Sequence, residues 1–390
     1  MFFRGQKKIP AECVICAARP ALYLNQLNVY PVTFYCSHST PPSRPHLVPS
    51  RTYKFLNILC CVVLIIGIIN DLLQIRGKIT TKHLLLILEI LIGASTIIVN
   101  IQCLFKSPSK IQELHGLISL INKKTVFEVT EVLSASSAGK IYDLLLFLVL
   151  ILIVEEVATF FRTVIAEKLD SVLLVRMFAI EMIIFCNISI AYYLVQFLNL
   201  YHIMFENCYE ELRQCLRTKT HARLLTKLQK LQRFYMCLRR NFKLNELFFR
   251  SGMIIIYTID VCLLLIGFSY LVVVLNEQDV NLLKFDWFVI VKSLALVAIF
   301  CIFCYEAERI LIQTQNTLSL LFQCSLTKLS SLESAQVELI IQTFVVLKPN
   351  LNISYIFNVN TGLLASVCGT VITYSLVALQ FRALLHLDEN

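Results

Sequence analysis

Residues 363–384 read LLASVCGTVITYSLVALQFRAL, from Leu363 to Leu384, with no charge before Arg382. A helix needs about twenty mainly apolar residues to cross a hydrocarbon core, and this stretch supplies them. Its polar groups are not scattered. Ser366, Thr370, Thr373, Val377 and Gln380 recur at offsets of four, three, four and three, which places them on one face of an α-helix. A narrow polar stripe on an apolar span should face protein or water, because lipid offers its polar groups no partners. Pore lining satisfies that geometry. So does close helix packing through small residues, with Gly362 and Gly369 beside the stripe.

Six further stretches have the same character: Tyr53 to Ile75, His83 to Phe105, Ile141 to Thr163, Arg176 to Leu200, Ser251 to Leu275 and Asp286 to Glu308. The composition agrees, since 57% hydrophobic and only 16% charged residues lie far from soluble averages. The expected fold class is therefore all-α, a polytopic membrane protein of seven transmembrane helices. Residues 1–52 contain Pro41, Pro42, Pro45 and Pro49 and no apolar core ahead of a small-residue cleavage site, so they read as an irregular, retained tail. No internal repeat is evident.

The net charge of +9 is topological. Of 35 lysines and arginines, 26 fall on the tail counted through Lys54, 106–140, 201–250 and 309–362, 8 fall at the opposite face, and Lys292 lies within a span. Basic segments stay in the cytosol during insertion, so the amino end is expected inside and the carboxyl end, 385–390, outside. A G-protein-coupled receptor needs the reverse polarity, and neither D-R-Y after the third span nor N-P-x-x-Y in the seventh is present. A secondary transporter should show repeated halves or paired broken helices, and the chain has neither. The basic residues form no aromatic-interleaved face, which argues against nucleic acid as a partner.

Two cytosolic stretches carry helical periodicity. Leu224, Leu228, Leu231 and Tyr235 recur at helical spacing within 207–247, and 307–347 reads as helical until Pro349. Either these are solvated amphipathic helices or they extend the spans into a cytoplasmic bundle between subunits.

No catalytic set emerges. The histidines are scattered, no H-E-x-x-H or phosphate loop occurs, and no cofactor is implied. Cys13 and Cys16 form a lone C-x-x-C, but no second ligand pair has zinc-finger spacing, and the other cysteines lie mostly in apolar segments. The sequons at Asn187 and Asn352 fall in a span and on the inner side, so neither is expected to be glycosylated.

Charges inside spans are costly and face the bundle interior or water. Given the orientation, Glu89, Glu155, Glu156, Glu181 and Lys292 all fall in the outer halves of four spans, near Phe160, Tyr270 and Trp287. That set describes an outward-facing ligand pocket. A structural ion-pair network, for example Lys292 with one of the glutamates, uses the same groups.

The last span also holds Thr373-Tyr374, five apolar or small residues, then Gln380-Phe381. This T-Y-x5-Q-F pattern resembles the signature of the insect gustatory receptors, and Phe357 to Gly369 looks like the family as well. Related insect odorant receptors share the plan but not this motif. The resemblance implies a receptor of the plasma membrane of gustatory neuron dendrites, gated by a small-molecule tastant and permeable to cations such as sodium, potassium and calcium. It also implies a homo- or hetero-tetramer with other gustatory receptors, in which four copies of the last helix surround the ion path. Ser366, Thr370 and Thr373 then line that path, Gln380 and Phe381 form the gate, and Tyr374, seven residues before Phe381, couples it to neighbouring helices.

Overall fold

The computed structural model describes residues 32–35 and 46–49, helical positions within 55–69, 90–101, 154, 191–214 and 226–246, and the run 287–387 apart from 326–329 and 354–356. Three continuous helices are α1 (Trp287–Ser325), α2 (Ser331–Val346) and α3 (Thr361–Leu387). Four short strands are β1 (Val32–Tyr35), β2 (His46–Pro49), β3 (Asn352–Ile353) and β4 (Phe357–Asn358).

The strands depart from the all-α expectation. β1 and β2 pair antiparallel from Val32 opposite Pro49 to Tyr35 opposite His46, inside the tail read as irregular. Val32-Thr33-Phe34-Tyr35 is a β-branched and aromatic run, and that local preference outweighs the proline content around it. Pro49 sits at the end of its strand, where a missing amide donor is tolerated.

α1 has no proline or glycine in 39 residues and would be about 58 Å long. It runs 17 residues past Glu308, the expected end of the sixth span. A cluster of charges marks a change of environment but does not stop a helix. One stripe of α1 is buried: Ile299, Phe303, Ala307, Ile310, Thr314, Thr317 and Leu321. Thr314 and Thr317 sit there because each hydroxyl donates to a carbonyl of the preceding turn, Ile310 O at 2.9 Å and Gln313 O at 2.8 Å.

α2 begins at a capping box, a restart that the apolar periodicity of 307–347 up to Pro349 does not signal. Ser330 Oγ accepts from the Glu333 amide at 3.4 Å, and Glu333 Oε2 accepts from the Ser330 amide at 3.0 Å. The helix ends at Val346, three residues before Pro349 as a missing amide donor requires. Its buried face, Glu333, Val337, Ile340 and Phe344, repeats at offsets of four, three and four.

The core joins α1 and α2 to the helical residues of 191–246. Leu228, Leu231, Tyr235, Leu238 and Phe242 are buried at helical spacing, as are Leu194, Leu198, Tyr201, Phe205, Cys208 and Leu212. The basic stretch is therefore a packed helix rather than a solvated one. Tyr235 is its centre, stacked on Phe344 with ring centroids 3.6 Å apart and edge-on to Phe205 at 5.7 Å.

Counted over the described residues, no helix is long and apolar enough to cross a membrane.

Candidate functional site

α3 begins at a constructed end. After α2, β3 and β4 pair antiparallel, Val359 N donates to Leu351 O at 2.8 Å and Asn350 Nδ2 to Asn358 Oδ1 at 3.1 Å. Leu351 and Val359 are buried beneath this turn. Asn360 then caps the helix, its Oδ1 accepting from the Leu363 amide at 3.0 Å. A Cβ at position 362 would stand 3.2 Å from that oxygen, so Gly362 leaves the cap its room. The Thr361 amide donates instead to Glu308 Oε2 of α1, at 3.1 Å.

α3 turns Leu363, Val367 and Val371 toward buried surroundings and packs against α1. Ser366, Thr370, Thr373, Val377 and Gln380 are all exposed in the isolated chain, so the polar stripe lies off the covered face. Ile372 and Leu376 are exposed beside it, and a side chain at Gly369 would meet nothing within 4 Å. Thr370 Oγ1 donates to Ser366 O and Thr373 Oγ1 to Gly369 O, each at 2.8 Å. With their hydrogens committed to the helix backbone, both hydroxyls offer only lone pairs to whatever faces them. At Thr370 and Thr373 the stripe thus presents acceptors. Tyr374 and Phe381 lie within α3, with side chains outside the described residues.

The expected ligand pocket is not assembled by the described residues. Glu89, Glu155, Glu156, Phe160, Glu181 and Tyr270 all lie outside them. Trp287 and Lys292 fall in the first turns of α1, five residues apart, with side chains likewise outside.

Two polar centres have no signature in the sequence. The first ends α2, where the Leu347 carbonyl accepts from Tyr235 Oη at 3.0 Å and from Arg239 Nε at 3.1 Å. Gln232 donates to Thr343 Oγ1 at 3.1 Å and accepts from Gln336 at 2.9 Å. Burial pushes the Tyr235 phenol well above its usual value, so it stays a neutral donor. Burial likewise lowers the Arg239 guanidinium, which remains charged at any physiological pH.

The second centre is His202, which is buried with Asn199. Burial first, and the charge of Arg309 second, push its imidazole down to about 4. Glu206 lies 3.7 Å from Nε2, but a neutral ring makes no ion pair with it near pH 7. Arg309 pairs instead with the buried Glu306 at 3.3 Å. The unfolded chain takes up this proton near 6.5 and the folded chain only near 4, so the unfolded state binds more protons between those values. Stability is fully present above that window and falls as pH drops through it, by about 3 kcal/mol if His202 acts alone. Thermal unfolding in detergent at pH 7.5, 6 and 5 should show about 2 kcal/mol of this loss by pH 5, and His202→Gln should flatten it; an equally steep profile in the variant would assign the loss to other groups.

Neither centre has a pattern that periodicity can detect, because each joins residues about a hundred positions apart. The capping of α3 by Asn360 was legible in principle as an asparagine directly before an apolar helix.

As a whole the chain folds like an insect olfactory receptor. It is similar to OR5 from Machilis hrabei in complex with eugenol, with a TM-score of 0.63 and 13% identity over 94% of this chain and 98% of that one. A further structure of OR5 from Machilis hrabei gives 0.62 and 13% over 93% and 97%. At that identity the likeness is one of fold, and it defines the architecture as a mostly helical receptor fold. Residues 19–384 match the model of the 7tm chemosensory receptors, and the chain belongs to that family. It is a family of membrane receptors, not of enzymes. No curated protein matches by sequence.

Proposed function

We propose that this protein is a gustatory receptor that works as a tastant-gated, nonselective cation channel in the plasma membrane of chemosensory neuron dendrites. The observation that carries the reading is α3 itself. The T-Y-x5-Q-F residues Thr373, Tyr374, Gln380 and Phe381 lie on one continuous helix whose polar stripe is left uncovered by the rest of the chain.

Four copies of α3 around a common axis would turn Ser366, Thr370, Thr373 and Gln380 toward water and relieve the exposure of Ile372 and Leu376 against neighbours or lipid. The acceptor character of Thr370 and Thr373 suits cations such as sodium, potassium and calcium over anions. α2 has an outward apolar stripe as well, Leu332, Leu339 and Val346 at intervals of seven, opposite the face packed on Tyr235. A helix apolar on both sides is normally buried on both, which supports assembly with further copies or with other gustatory receptors.

The charge asymmetry supports an inside amino end and an outside carboxyl end, so that Gln380 and Phe381 lie toward the outer mouth. The ligand pocket is proposed between the outer halves of the spans, from Glu89, Glu155, Glu156, Phe160, Glu181, Tyr270, Trp287 and Lys292. That OR5, of the same fold, has been solved with eugenol supports a small molecule as the ligand. A tastant opens the channel by binding the open arrangement more tightly than the closed one.

The test is current in excised membrane patches without nucleotide or cytosol, combined with epitope accessibility at both ends. Channel activity that survives excision, with an external carboxyl tag and an internal amino tag, is the expected result. Responses that vanish on excision and return with G protein and nucleotide would replace the channel with a coupled receptor.

A further inference from the structure

The chain from Leu347 to Thr361 is held at both ends by other parts of the protein. Tyr235 and Arg239 grip the Leu347 carbonyl at one end, and Glu308 accepts the Thr361 amide at the other. Between them the β3–β4 pair and the Val359–Leu351 and Asn350–Asn358 bonds cross-link the connector to itself, with Leu351 and Val359 buried. A cross-linked segment with both ends anchored has little slack, so α3 cannot shift or rotate at its base without disturbing an anchor.

We infer that Glu308 is a positioning residue for the pore helix: its carboxylate ties the base of α3 to α1, so that the equilibrium between closed and open arrangements depends on this bond. Three features favour Glu308 as the sensitive anchor. The Thr361 amide opens the helix and has no carbonyl in a preceding turn, so a partner from outside the helix must satisfy it. The partner is a carboxylate at a helix amino terminus, where the macrodipole favours negative charge. The bond also spans 53 residues of chain and joins the two helices that the channel reading places at the ion path and beside it. Asn360, by contrast, caps α3 from within the same segment and transmits nothing between helices.

This inference rests on the channel reading, and two measurements separate its failure from that reading's failure. The first needs no current. In the full-length protein in detergent, amide exchange of a peptide covering 359–365 should quicken at Thr361 about threefold in Glu308→Ala, the effect of one lost bond to a charged group at a solvent-exposed site. Glu308→Gln keeps an acceptor and should fall between. The second is single-channel recording of spontaneous openings at matched surface expression. Glu308→Ala should move open probability by about fivefold or more, the lower edge of ordinary coupling energies, with unitary conductance and reversal potential unchanged. Glu308→Gln should restore most of it.

Unchanged exchange would show that the anchor does not hold α3 and would overturn the inference. Quickened exchange with unaltered open probability would overturn it too, reducing Glu308 to a structural cap. A changed unitary conductance would place Glu308 in the permeation path and defeat the positioning role. Absence of current from the unaltered chain, expressed both alone and together with other gustatory receptors, would overturn the channel reading, and the gating role of Glu308 with it.

Discussion

Phe344→Ala should leave little folded receptor. Phe344 is 1% exposed and lies flat on Tyr235, itself fully buried between Phe205 and the end of α2. Truncation removes a phenyl ring from a site lined on one side by another ring that cannot follow it, because Tyr235 is held by its hydrogen bond to Leu347 O. Removing a buried phenyl group from such a site costs about 3–5 kcal/mol. Native stabilities are of the order of 5–15 kcal/mol, so a large share of the total disappears. Fluorescence-detected size-exclusion after a temperature series should show the variant melting far below the parent, with most of it lost at the growth temperature. Phe344→Leu should recover part of the loss by refilling the volume. Tyr235→Phe should cost only about 1 kcal/mol, since it keeps the stack and leaves Leu347 O to Arg239. A Phe344→Ala protein that melts with the parent would mean that α2 does not rest on the helix of 228–246.

The second large effect is expected at the end of α3. If four Phe381 rings close the path by excluding water, Phe381→Ala should raise current in the absence of tastant by about tenfold or more, the scale of an ordinary gating equilibrium. Gln380→Ala acts differently. An amide replaces part of an ion's hydration, so its loss should lower unitary conductance and shift the relative permeability of sodium, potassium and calcium while leaving the resting current low. Gln380→Glu should favour calcium by placing a ring of negative charge at the same level. Under the proposed gate the pair divides the labour, closure by Phe381 and passage by Gln380. Normal resting current, conductance and selectivity in both alanine variants, at normal surface expression, would remove the gate assignment.

Reading the chain by its periodicities reached some elements and missed others for identifiable reasons. The stripe from Ser366 to Gln380 was legible because an α-helix repeats locally, and the described side chains do lie off the buried face. The apolar stripe Leu228, Leu231, Tyr235 was legible too, but its spacing fits a solvated helix and a packed one equally; the stack on Phe344 decides for packing. The helix expected to reach Pro349 without interruption instead restarts at Ser330, because a capping box is a pairing of two side chains with two amides and leaves apolar periodicity untouched. β1 and β2 lie where the proline content predicts irregular chain, and a four-residue β-branched and aromatic run prevails over it.

The family and the surplus of long apolar segments follow from the sequence alone, because both depend on what each residue is and on neighbours within a few positions. The helix of α3 and its polar face are local in the same way. Tertiary structure alone decided that Glu308 meets Thr361, that Tyr235 and Arg239 share the carbonyl of Leu347, and that His202 is buried near Arg309. Those contacts join residues some 50 to 110 positions apart, and they depend on how each helix is rotated about its own axis. Packing sets that rotation through the fit of whole faces, which no window of the sequence contains.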